Sequence, residues 1–205
     1  MHTRHIVAII AVIFIGLGAY WYFLGGQEIR NYPSSGTDII AFGDSLVAGV
    51  GASPGRDFVS LLSQKIGQPI INLGVSGDTT ATALARLPEL DAYRPKVVIV
   101  LFGGNDYLRR VPQVQTFENL TEIIESIQAK GAMVLLLGIR GGLLNDHFDT
   151  EFKKLRNTHD TAYVSDVLDG FLGKREYMSD EIHPNDAGYE RIAERVYPVL
   201  APLLK

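Results

Sequence analysis

The chain has 205 residues, 46% of them hydrophobic and 20% charged, with a formal net charge of −4. That is the make-up of a globular domain long enough to bury its own core without a metal or disulfide staple. The acidic balance lacks the basic stripe of a nucleic-acid binder, and the absence of cysteine removes thiol nucleophiles, thiolate zinc sites and disulfides together.

Ile6 to Leu24 is a run of 19 residues without a charge. As a helix at ~1.5 Å per residue it would span about 28 Å, close to the hydrocarbon thickness of a bilayer. Tyr20, Trp21 and Tyr22 gather at its far end, where amphipathic rings prefer the headgroup region. The stretch 1–24 therefore reads as an uncleaved membrane anchor. Its rival is a signal sequence cut near Gly16 or Gly18, but the apolar run continues well past both. Arg4 on the short flank keeps the N-terminus cytoplasmic and puts the remainder outside, at the cytoplasmic membrane. Beyond residue 24 there are 18 cations against 23 carboxylates, so charge would not hold the domain to an anionic leaflet. The anchor has to.

Residues 25–37 (GGQEIRNYPSSGT) have no hydrophobic period and read as a linker. The folded domain is expected from Asp38 to the C-terminus. Short apolar runs follow at Ile39–Phe42, Pro69–Leu73, Val97–Phe102, Met133–Gly138 and, more weakly, Thr161–Val164. Bounded by Gly or Pro, they read as strands buried on both faces. Between them, Phe58, Leu61, Leu62 and Ile66 share one helical face, as do Phe117, Leu120, Ile124 and Ile127 before a stop at Gly131. A last helix carries Tyr189, Ile192, Val196, Leu200 and Leu203, with Pro198 and Pro202 expected to kink or fray it. Strand and helix in alternation predict an α/β fold with a parallel sheet and helices on both faces.

In such sheets ligands bind beyond the carboxyl ends of the strands. That nominates the loops at Gly43–Ser45, Gly74–Thr80, Gly103–Asp106 and Gly138–Asn145, which hold the densest Gly/Ser/Asn/Asp clusters in the chain. Ser45, directly after the first strand, is a candidate nucleophile if a base lies near; alone it reads equally as helix-capping chemistry. Asp180 and His183, three residues apart before the last helix, fit an oriented general base, with Pro184 keeping His183 out of helical geometry. Gly77 offers an unobstructed backbone N–H and Asn105 a side-chain amide as oxyanion donors, although both also favour ordinary turns.

Gly-Asp-Ser-Leu at 43–46, Ser-Gly-Asp-Thr at 76–79, Gly-Gly-Asn-Asp at 103–106 and Asp-x-x-His-Pro at 180–184, in that order, resemble the SGNH (GDSL) hydrolase superfamily. Ala85–Pro88 and Asn105–Arg109 make the chain similar to the branch with bacterial thioesterase I/lysophospholipase L1 and arylesterases. The resemblance covers about Asp38 to Leu204. It implies a three-layer, flavodoxin-like α/β/α sandwich with a five-stranded parallel sheet. It also implies Ser45 as nucleophile, His183 as base, Asp180 as its orienter, and an oxyanion hole from the Ser45 and Gly77 N–H groups with the Asn105 amide. Residues 141–178 form a shorter stretch than in that branch, where they help shape the substrate cleft.

Other signals fall away. No G-x-S-x-G elbow, dinucleotide fingerprint or P-loop is present. His147 and His159 sit in a polar stretch and are expected to be solvated. Asp44, Asp78 and Asp106 are expected to fix loops, so no metal or cofactor is called for. The reading is a membrane-anchored serine esterase acting on a small acyl ester, thioester or lysolipid, with no nucleic-acid partner. An O-acetyl esterase on cell-wall or exported polysaccharide would use the same residues, and a non-catalytic tethered binding module would keep only the fold.

Overall fold

The computed structural model describes residues 28–140 and 148–205. The candidate anchor, His147 and the 141–145 part of the fourth loop lie outside them. Among the described residues no helix is long and apolar enough to cross a membrane.

Five parallel strands, β1 (Asp38–Gly43), β2 (Ile70–Gly74), β3 (Pro95–Leu101), β4 (Met133–Leu137) and β5 (Ala162–Val164), pair in the order β2-β1-β3-β4-β5. This is the flavodoxin-like doubly wound order, with its switch point between β1 and β3. The apolar runs account for the strands. All of β4 is buried and β3 very nearly so, as expected for strands covered on both faces. β2, at the edge, is only half-buried. The fifth strand starts one residue later than its sequence pattern, because Thr161 still closes the preceding turn onto the Arg156 carbonyl.

The helices are α1 (Ser45–Ala48), α2 (Phe58–Ile66), α3 (Thr80–Arg86), α4 (Gly104–Leu108), α5 (Gln113–Ala129), α6 (Phe148–His159) and α7 (Asp186–Leu203), with a 3-10 segment at Leu87–Ala92. α2 packs against α7, and α5 packs against α3 and α6, so two helical groups flank the sheet. Tyr189 of α7 is fully buried and stacks near Phe58 of α2, while its hydroxyl donates to the Val50 carbonyl at 2.7 Å. Pro198 and Pro202 do not end α7, which stays helical to Leu203. Its inward residues Ile192, Val196, Leu200 and Leu203 are all buried, and that packing outweighs the bonds lost at the prolines.

His159 departs from the solvated expectation. It is 6% exposed at the end of α6, its carbonyl accepts from Gln128 Nε2 of α5, and burial holds its imidazole below the ordinary value. An open groove of about 500 Å³ between α5 and α6 has His159 among its walls. The strand-end loops do not reach it.

Candidate active site

Gly43 ends β1, and a side chain there would come within 2.2 Å of Val47 and 2.7 Å of the Leu101 carbonyl. The glycine lets α1 fold tightly back over the strand end. Asp44 caps that helix, its Oδ1 accepting from Leu46 N at 3.0 Å. Ser45, its first residue, is thereby held at the rim with 8% exposure. From the other end of the chain, the segment before α7 turns back on itself. Asp180 Oδ1 accepts from the backbone N–H groups of Ile182 (2.8 Å) and His183 (2.7 Å). Its Oδ2 lies 2.7 Å from His183 Nδ1, and His183 Nε2 lies 3.1 Å from Ser45 Oγ. His183 stays outside the helix, which Asn185 caps through the Ala187 and Gly188 N–H groups.

Electrostatics favour this arrangement. The hydrogen bond with the His183 ring, followed by those from the two backbone N–H groups, pulls the Asp180 carboxyl down to about 2, so it is ionised throughout the neutral range. An ionised carboxylate on Nδ1 favours the tautomer with the proton there, leaving Nε2 free to accept from the serine. Asp44 is the opposite case. Burial raises it to about 7, against the Leu46 N–H and His183, which lower it.

Gly77 adopts φ +84°, which only glycine holds without strain. Its carbonyl accepts from Arg109 Nη2 at 2.7 Å. Among the described residues, the N–H groups of Ser45 and Gly77 have no partner. Two of the three expected donors are therefore unengaged. Asn105 Nδ2 donates to the Asp78 carbonyl at 2.9 Å and lies 3.4 Å from Asp44 Oδ2, which fixes the amide beside Ser45.

The other acids hold these loops in place. Asp78 pairs with Arg86 Nε at 2.7 Å and accepts from Thr82 Oγ1. Asp106, fully buried, accepts from Thr80 N at 2.9 Å and Thr80 Oγ1 at 2.5 Å, tying the loop after β3 to the start of α3. Among the described residues no group of acids and histidines is placed to hold a metal.

A cavity of about 260 Å³ opens beside Ser45, with Asn105 and His183 at its polar end and Leu46, Tyr107, Leu108, Ile139, Leu168 and Leu172 along its walls. Sequence reasoning did not find these walls, nor the Arg109 brace. The apolar residues come one or two at a time from separate elements, so no periodicity marks them. Arg109 sits four residues past Asn105 and was visible only as part of the Asn105–Arg109 phrase.

The model of the GDSL-like lipase/acylhydrolase family matches residues 41–191. Esterase TesA of Pseudomonas aeruginosa is 35% identical over 178 residues, spanning 81% of this chain and 89% of that protein. Thioesterase 1/protease 1/lysophospholipase L1 of Escherichia coli K12 is 33% identical over 175 residues, spanning 81% and 84%. A crystal structure of TesA superposes with a TM-score of 0.75 at 34% identity, over 82% of this chain and 99% of the other. The chain belongs to the GDSL-like lipase/acylhydrolase family, the SGNH hydrolases, and is an ester-hydrolysing enzyme.

Proposed function

We propose that the enzyme cleaves acyl esters, and the thioesters that react alike, through a covalent acyl-serine formed at Ser45. The observation that carries this is the unbroken contact chain from Ser45 Oγ through the His183 ring to Asp180, at 3.1 and 2.7 Å. Ser45 Oγ attacks the acyl carbonyl carbon as its proton passes to His183 Nε2. Asp180 keeps the ring oriented and stabilises the imidazolium. The carbonyl oxygen, now an alkoxide, takes hydrogen bonds from the Ser45 and Gly77 N–H groups and from the Asn105 Nδ2–H that otherwise makes only the long 3.4 Å contact with Asp44 Oδ2. Each such donor contributes ~3 kcal/mol when it meets the developing charge. The ring then protonates the leaving alcohol or thiol. In the second half it takes a proton from water, which attacks the acyl carbon and frees the acid and Ser45.

The apolar walls beside Ser45 suit an acyl chain longer than acetyl, which favours ester, thioester and lysophospholipid substrates of the kinds in the relatives' names over polysaccharide acetyl groups. Ile6–Leu24 serves as the anchor, with the domain on the extracytoplasmic side. A fluorophosphonate probe tests the chemistry. It labels the wild type at Ser45 and leaves Ser45→Ala unlabelled and inactive on p-nitrophenyl butyrate, with unchanged circular dichroism. Turnover by a folded Ser45→Ala variant refutes the nucleophile. An unlabelled, inactive wild type makes the chain a binding module.

A further inference from the structure

The residues just ahead of β1 are bonded to the turns that precede other strands. Arg30 N donates to the Asp160 carbonyl at 2.9 Å, Asn31 Nδ2 to the carbonyls of Gln128 and Ala132 at 2.9 Å each, and Ser34 Oγ to Gly131 at 2.7 Å. Thr37 N and Asp38 N both donate to the Arg94 carbonyl, at 2.8 and 2.9 Å. Ile29 packs on the core. Asp160 precedes β5, Gly131 and Ala132 precede β4, and Arg94 precedes β3. The segment is therefore a strap across the amino ends of the strands, from the β5 side to β1. Ser45, Gly77 and Asn105 all follow carboxyl ends. The chain enters at one pole of the sheet and the site opens at the other.

We infer that the anchored enzyme draws its substrates from solution, as dissolved acyl esters, thioesters or lysophospholipid monomers, and does not act on lipids held in the bilayer that anchors it. This rests on the reading of Ile6–Leu24 as a membrane span. Six Cα steps separate Leu24 from the pinned Arg30, a reach of about 20 Å fully extended. A domain of this length has a radius of gyration near 16 Å, hence a diameter of about 40 Å and a path of about 60 Å around its surface from pole to pole. A 20 Å tether fixed at the amino pole cannot turn the carboxyl pole to the membrane. Undocking the strap frees residues 25–37, about 45 Å of chain, which is still too short. The strap keeps the mouth of the site pointed outward, where a dissolved ester meets it and a headgroup does not.

The test uses the full chain in phosphatidylcholine vesicles, diluted so that vesicle collisions are rare. p-Nitrophenyl butyrate is the soluble substrate, and a fluorogenic butyryl ester on a diacyl-lipid headgroup is the membrane-held one. A second protein carries a Gly/Ser insert of about forty residues between Gly26 and Gln27, which takes the fully stretched reach of the tether beyond about 100 Å. Both proteins are expected to float with the vesicles and to cleave the soluble ester equally. The insert should raise turnover of the membrane-held ester at least about tenfold, because effective concentration falls to near zero when a linker cannot span two sites. Equal rates on that ester overturn the inference. A wild-type chain that does not float overturns the anchoring and this inference with it. Loss of the soluble activity in both proteins overturns the esterase reading instead.

Discussion

Replacing Asp44 with asparagine isolates the cost of an acid buried beside Ser45. Asp44 is 3% exposed, and burial raises its carboxyl from 3.8 to about 7, with Asp78 and Asp106 adding to the rise and the Leu46 N–H and His183 opposing it. Above pH 4 the unfolded chain loses this proton while the folded chain keeps it, so stability falls as pH rises and levels off above the folded value. At 1.36 kcal/mol per unit the fall between pH 5 and pH 8 is about 3 kcal/mol, an upper bound. Asparagine has the same shape and still accepts from Leu46 N through Oδ1, but it has no charge to bury. In urea titrations at the two pH values, the variant's stability relative to wild type should therefore rise by up to about 3 kcal/mol from pH 5 to pH 8. A difference that stays flat, or moves the other way, refutes the argument that Asp44 is held by desolvation.

Asp180→Asn keeps the turn but presents the wrong partner to the imidazole, and a loss on the order of 10⁴ in kcat with unchanged circular dichroism is expected. Because the Asp180 carboxyl is drawn down to about 2, its ionised form, and with it the charged acceptor on His183 Nδ1, is retained at pH 4 and lost as pH falls through about 2. The His183 ring-proton resonances in NMR should follow that window. Asn105→Ala should lower kcat by roughly 10²- to 10³-fold with little change in KM. Gly77→Ala forces an L side chain to φ +84° with its Cβ 3.4 Å from Arg109 Nη2. It should lose roughly 1–2 kcal/mol of stability in thermal unfolding together with activity.

Four of the five strands were legible because a doubly wound sheet buries both faces, and its strands appear as continuous apolar runs with Gly or Pro at their ends. Thr161–Val164 was the weakest pattern and gave the shortest strand. The polar ends of the site were legible too. Ser45, Gly77, Asn105, Asp180 and His183 all lie at strand ends or helix starts whose composition marks them, and the structure brings Ser45, His183 and Asp180 into contact. The apolar walls were not. Leu168 and Leu172 lie in a stretch without regular period, and what they face depends on tertiary packing alone. His159 was misjudged for the same reason. Its neighbours in sequence are polar, yet α5 covers it in space. Gly43 was noticed for its freedom to turn, whereas the structure uses it for want of a Cβ.

The Ser45–His183 contact joins residues 138 positions apart, and the Tyr189 hydroxyl on Val50 ties α7 down beside it. Translation must therefore pass residue 183 before the Ser45 hydroxyl can meet its imidazole. Copies cut short or clipped ahead of α7 retain Ser45 as an ordinary alcohol. On the mechanism proposed above such fragments hydrolyse no esters, so a cell that degrades them meets no half-built esterase on the way.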